Sequence, residues 1–251
     1  MTTPEPEASP SPAEPSPAPA TPDTLQPAPA TPVKRHHWIV RFTHWVNGVL
    51  LVGMIASGLQ IYGAYTHFGL RGSRLPLPNP FDGYAFPGWS RLGGWLAGAL
   101  NWHFFLMWLL LLNGLLYVGY LIFSGEIRFL AFRPRDVKPA IEMQKYYLRL
   151  RQEHPPQGKH NALQKAAYSF IVLLGALSLL TGWAIWKPVQ LGWLTSLFGG
   201  YELARYWHFL TVWIFVGFIL VHVALVFLVD PASMRAIVTG WYRGRFPSHG
   251  A

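Results

Sequence analysis

The sequence predicts an all-α, integral-membrane bundle of four helices, and three observations carry that reading. Only 12% of the 251 residues are charged while 51% are hydrophobic and 16% aromatic, against about a quarter charged in soluble domains. Four apolar stretches each reach the roughly 20 helical residues that cross a bilayer core. Four histidines lie inside those stretches at two matched depths. The chain has no cysteine, which excludes disulfides, thiolate-held iron–sulfur clusters, zinc fingers and covalent cofactor attachment through CxxCH.

Residues 1–33 hold half of the 22 prolines and four acidic residues, with no Lys or Arg and almost no large apolar side chain. Such a segment buries too little surface to offset its ordering entropy, so a disordered, Pro/Ala-rich tail is expected. It lacks the basic start and short apolar core of a signal peptide. Lys34 and Arg35 come after it and directly before a long apolar run, which reads as an uncleaved signal anchor. The membrane domain is expected over residues 34–245, followed by a short tail at 246–251.

The spans are expected near Trp38–Tyr62, Ala97–Phe123, Leu163–Trp186 and Leu203–Val229. Inside them Arg41, Lys165 and Arg205 are the only Lys or Arg residues, each less than two turns from an end, where the side chain can snorkel to headgroups. Glycines such as Gly48, Gly53, Gly58, Gly114 and Gly182 admit a close helix or a flat cofactor, and close helix packing is the plainer reading for any one of them.

The net charge of +9 would suit nucleic acid, yet the basic residues lie mostly between apolar stretches, where they set membrane orientation. No nucleic-acid partner is expected. Of the 20 Lys and Arg residues, all but Arg71, Arg74, Arg91, Lys187 and Arg205 fall on one side. The positive-inside rule therefore puts both termini in the cytoplasm and the loop 63–96 outside. The inner loop contains Pro139–Arg151, whose Met143, Tyr146, Tyr147 and Leu150 share a helical face, as in a basic helix lying on anionic lipid; a solvated connector helix is the alternative.

The intramembrane histidines are His44, His103, His208 and His222. With alternating topology, His44 and His222 share a level near the cytoplasmic end, and His103 and His208 share one near the outer end, each roughly 8–10 Å inside its helix. His208 and His222 are 14 residues apart, which returns to within about 40° of one face after a rise of roughly 21 Å. One helix thus offers two imidazoles, stacked on one side, to two partner helices. Bis-histidine ligation of two b-type haems requires this arrangement, since a non-covalent haem is held by axial ligands and packing alone. Arg41 and Arg205 stand one turn before His44 and His208, placed to meet haem propionates, with interfacial snorkelling the alternative. Two rival classes remain: a histidine-lined metal transporter, disfavoured because the spans lack carboxylates, and a haem-free membrane anchor.

These residues resemble a known family, the dihaem cytochrome b subunits of bacterial membrane oxidoreductases. The matching stretches are RFTHWVNGVLLVGMIASGLQIY at 41–62, WHFFLMWLLLLNGLLYVGY at 102–120, HNALQKAAYSF at 160–170, TGWAIWKP at 181–188, and ARYWHFLTVWIFVGFILVHV with the downstream TGWY. The resemblance spans about residues 35–245 and is closest to the thiosulfate-reductase type, with formate dehydrogenase gamma subunits and nickel–iron hydrogenase cytochromes b also similar. It implies a four-helix membrane fold with His44 and His222 holding the cytoplasmic-side haem and His103 and His208 the outer one. It also implies a quinone site near Asn161 and Gln164, although Leu163 stands where relatives have Gly; helix capping is the alternative role for the pair. The implied function is electron carriage in the bacterial inner membrane between quinone and a periplasmic molybdopterin oxidoreductase. A sulfoxide or ferric reductase membrane subunit is the nearest variant.

Overall fold

The computed structural model describes residues 33–70, 72–153, 155, 161–228 and 231–242. All of the expected tail but Val33, the C-terminal residues 243–251, and Arg71, His154, His160 and Asp230 lie outside the described residues. Four long helices carry the fold: α1 Trp38–Tyr62, α2 Leu96–Phe123, α5 Ala162–Trp186 and α7 Tyr201–Leu228. Between and after them lie the short helices α3 Ile127–Leu130, α4 Val137–Tyr147, α6 Gly192–Leu197 and α8 Pro231–Thr239. Two-residue strands, β1 Val33–Lys34 and β2 Trp241–Tyr242, complete the described chain.

The long helices have 25, 28, 25 and 28 residues, roughly 38–42 Å at 1.5 Å per residue, enough to cross a bilayer core of about 30 Å. All four are long and apolar enough to span a membrane. Leu112, Leu115, Leu173 and Leu220 face outward and are more than half exposed, as lipid-facing leucines are. Three hydroxyls within the spans bond back into their own helices. Thr43 Oγ1 donates to the Ile39 carbonyl (2.8 Å), Ser57 Oγ to Gly53 (2.8 Å) and Thr181 Oγ1 to Leu177 (2.7 Å), so these three enter the apolar layer already paired.

The long helices pack as two close pairs, α1 with α2 and α5 with α7. A polar tie fastens the first pair beside His44: buried Asn113 donates from Nδ2 to the Thr43 carbonyl (3.0 Å) and to Asn47 Oδ1 (2.7 Å). At one end of the bundle, loop 63–95 folds back as an aromatic cap. Phe68 packs in a buried cluster with Tyr62 of α1 and Tyr206 and Phe209 of α7, and Phe81 and Phe86 pack onto that cluster with Trp213. Tyr62 donates its hydroxyl to Asn79 Oδ1 (3.1 Å) and the Phe81 carbonyl (3.0 Å). The loop is pinned again where Leu92 N donates to the Ala56 carbonyl of α1 (3.0 Å).

At the other end, β1 and β2 pair antiparallel with Val33 opposite Tyr242, so Val33 belongs to the folded unit rather than to the tail. Arg41 donates to the Ile237 and Val238 carbonyls at the end of α8, and Arg35 N donates to Gly240 O (2.9 Å). Both ends of the described chain therefore meet on one face, as an even number of crossings demands.

The helix expected over Pro139–Arg151 forms over Val137–Tyr147, and Arg149 adopts a left-handed backbone (φ 58°) two residues after it ends. Leu150 thus leaves the shared face. Met143 and Ala140 are buried and the helix packs on α5, so protein covers part of the face expected to lie on lipid. The preceding turn is fastened to α5 by Phe132 N donating to Ser169 Oγ (2.8 Å) and Lys165 Nζ donating to Asp136 Oδ1 (2.9 Å).

Candidate functional site: two histidine pairs

Each of the four intramembrane histidines faces the partner that its depth predicts. His103 of α2 and His208 of α7 have ring centres 6.2 Å apart, at an interplanar angle of 77°. His44 of α1 and His222 of α7 have ring centres 6.1 Å apart at 60°. Both pairs bridge the two helix pairs rather than joining helices within one. Two imidazoles bound to one iron from opposite sides, at about 2 Å per bond, bring their ring centres to roughly 6 Å.

The His103–His208 pair is the more enclosed. Ser57 Oγ lies 2.9 Å from His103 Nδ1, and Thr181 Oγ1 lies 3.1 Å from His208 Nδ1. Both hydroxyls already donate their protons to carbonyls of their own helices, so toward the imidazoles they accept. The Ser178 carbonyl, 3.0 Å from His208 Nδ1, can only accept. Nδ1 therefore carries the proton in both rings, and Nε2 presents its lone pair. Glycine provides the seat: a Cβ on Gly58 would stand 3.6 Å from His103 Cε1, and one on Gly182 would stand 3.2 Å from His208 Cε1.

The His44–His222 pair is built differently. Phe218 stacks parallel to His222 (5.9 Å, 6°), and Trp45 meets His44 edge-on (5.5 Å, 88°). A Cβ on Gly48, one turn from His44, would meet nothing within 4 Å, leaving open space beside the imidazole. The donor set, neutral imidazoles in an apolar bundle with small residues beside them, fits an iron porphyrin.

The arginines and the third-span pair have partners of their own. Arg41 holds the α8 carbonyls described above. Arg205 pairs with Glu202 (2.8 Å) and donates to the Tyr65 carbonyl (3.2 Å), bracing loop 63–95. Asn161 and Gln164 form a reciprocal capping box at the start of α5: Gln164 N donates to Asn161 Oδ1 (2.7 Å), and Asn161 N to Gln164 Oε1 (3.2 Å). Both side-chain NH2 groups keep donors beyond these bonds. Among the described residues, Arg91 of loop 63–95 has a buried Nε with no hydrogen-bond partner. Ser57, Thr181 and Arg91 escape a reading centred on histidines; the signal for the first two is a hydroxyl residue directly before a glycine, at 57–58 and 181–182.

A bundle of apolar helices with imidazoles facing across it is the architecture of membrane cytochromes of the b type. The family model described as prokaryotic cytochrome b561 matches residues 35–240, and the chain belongs to that family. It is 38% identical over 203 residues, 81% of its length and 94% of the relative's, to a protein from Azospira oryzae named as a protein-methionine-sulfoxide reductase subunit, YedZ1. Proteins named as Ni/Fe-hydrogenase B-type cytochrome subunits are also similar. The one from Bradyrhizobium diazoefficiens is 25% identical over 221 residues (82% of each chain), and the one from Cupriavidus necator 24% over 221 residues (82% of this chain, 83% of the relative). No solved structure is significantly similar. The protein is thus a b-type cytochrome membrane subunit linked to oxidoreductases, multi-pass and helical.

Proposed function

We propose that the chain holds two b haems, one between His103 and His208 and one between His44 and His222, and carries electrons between quinone and an oxidoreductase partner. The observation that carries this reading is the pair of ring separations, 6.2 and 6.1 Å, at two levels of one bundle. When bound, haem supplies a one-electron iron couple. The residues of the chain do the rest. His208 and His222 hold the two sites roughly 21 Å apart along α7, Ser57 and Thr181 keep Nε2 of the outer rings free, and the aromatic cap of Tyr62, Phe68, Phe81 and Trp213 excludes water from the outer end.

Orientation follows the charge count, with both termini in the cytoplasm of a bacterial cell and the aromatic cap outside. The partner then docks on the outer face, and the chemistry we favour for it is a molybdopterin oxidoreductase. The Azospira oryzae relative, matched over 94% of its length, favours one that acts on sulfoxides. Quinone is assigned to the inner face near Asn161 and Gln164, whose side-chain NH2 groups are donors suited to a quinone carbonyl. Haem carboxylates are assigned to Arg41 at the inner level and to Arg205 at the outer one.

A pyridine haemochrome assay of the purified protein tests the reading. Two haems b per chain are expected, with His103→Ala and His208→Ala removing the same haem and His44→Ala and His222→Ala removing the other. Loss of one haem by both His44→Ala and His208→Ala would contradict the pairing, and absence of b-type absorbance would exclude the function.

A further inference from the structure

The two closely packed hairpins, α1–α2 and α5–α7, are built to one plan. Their first helices have 25 residues each and their second helices 28. Trp-His-Phe occurs at 102–104 and again at 207–209, with a tryptophan five residues beyond each histidine, Trp108 and Trp213. A fully buried alanine precedes each histidine by four residues, Ala99 and Ala204. His103 and His208 are the eighth residues of α2 and α7; Ser57 and Thr181 are the twentieth residues of α1 and α5, each followed by glycine.

The contacts repeat with the sequence. Within each hairpin the hydroxyl of the first helix meets Nδ1 of the second helix's histidine, at 2.9 and 3.1 Å. The carbonyl of Ser178, three residues before Thr181, also meets the His208 ring (3.0 Å). The inner level lacks this equivalence. The places that match His44 and His222 are held by Tyr168 and Tyr117, so the inner pair occurs once.

We infer that Ser57 and Thr181 are equivalent positioning residues of a duplicated outer site, each lowering the reduction potential of the outer iron by a similar share. The physical cause is the direction of the hydrogen bond. A hydroxyl whose own proton is committed elsewhere accepts Nδ1–H, pushes electron density toward Nε2 and makes the imidazole a stronger donor, which favours the oxidised iron. The inner histidines have no such hydroxyl among the described residues, so the effect is confined to one level. The inference rests on the dihaem reading above.

Optical redox titration of the purified holoprotein tests it. Ser57→Ala and Thr181→Val should each raise the outer midpoint by a similar increment, and the double variant by about their sum, with the inner midpoint unmoved. Ser57→Thr and Thr181→Ser should restore the parent value. An outer midpoint that stays in place or falls, or a shift of the inner midpoint alone, overturns the inference. If Ser57→Ala or Thr181→Val loses the outer haem, the hydroxyl-keeping variants decide: retention at the parent potential supports the inference, and loss there too overturns it in favour of shape alone. His103→Ala separates the two levels of the argument. One haem lost there, with no response to the hydroxyl variants, sinks only this inference; unchanged haem content sinks the dihaem reading itself.

Discussion

The ring of Phe81, in the loop between the first two spans, stacks on the indole of Trp213 in the last one, with centres 4.2 Å apart and planes within 12°. The loop is thereby sealed onto the end of the bundle that holds His103 and His208. Phe81→Ala removes one layer of that seal and should cost about 2 kcal/mol of stability. Thermal unfolding in detergent should show the loss, with increased cleavage of the loop by added protease; an unchanged melting profile would show that the stack carries no weight.

The seats of the outer imidazoles differ in tightness. A methyl at position 182 would press on His208 Cε1 at 3.2 Å, whereas one at position 58 would rest at an ordinary 3.6 Å from His103 Cε1. Gly182→Ala should therefore reduce outer-haem occupancy and Gly58→Ala should not, although both changes favour helix by up to about 1 kcal/mol. Haem content of the two variants, measured side by side, checks the order; equal content would mean that the α7 histidine shifts freely.

Asn113 reaches the carbonyl of Thr43, the residue before His44. Asn113→Leu deletes both of its bonds and leaves Asn47 without this donor in an apolar layer. Interhelical bonds in membranes contribute about 1 kcal/mol, so a modest fall in melting temperature is expected, together with a change in the inner-haem spectrum. A change confined to the outer-haem bands would disconnect Asn113 from the inner site.

The Asp136–Lys165 bond predicts a pH dependence. The hydrogen bond from Lys165 holds the Asp136 carboxyl below its ordinary range, with the Arg133 backbone N–H adding to the effect. A depressed carboxyl contributes stability that is present above its unfolded pKa, about 3.9, and is lost as pH falls through the lower folded value. Asp136→Asn should therefore melt below the parent at neutral pH, and the gap should close in acid below about pH 4. A gap that is constant with pH would leave the bond without electrostatic content.

Much of the fold was legible because lipid imposes simple demands on a chain. Each span had to satisfy its backbone internally, so apolar length located α1 and α5 to within a residue and α2 and α7 to within two. Depth alone paired His44 with His222 and His103 with His208, since helical rise is fixed per residue. The partners of Arg41 and Arg205 were hidden for the opposite reason. Apart from Glu202, three residues before Arg205, they are carbonyls of α8 and of loop 63–95, far away in sequence, and a long guanidinium stem reaches whichever acceptor the loops deliver.

From its amino acids alone this chain declared four crossings and the heights of its imidazoles, because these depend on hydrophobicity and helical pitch; its matching sequence stretches declared the family it resembles. Folding decided what those properties leave open. It bent Phe81 back onto Trp213 and set Ser57 and Thr181 behind the rings of His103 and His208. Side-chain partners chosen across helices depend on rotation and close packing between elements, and neither is written in any one element's sequence.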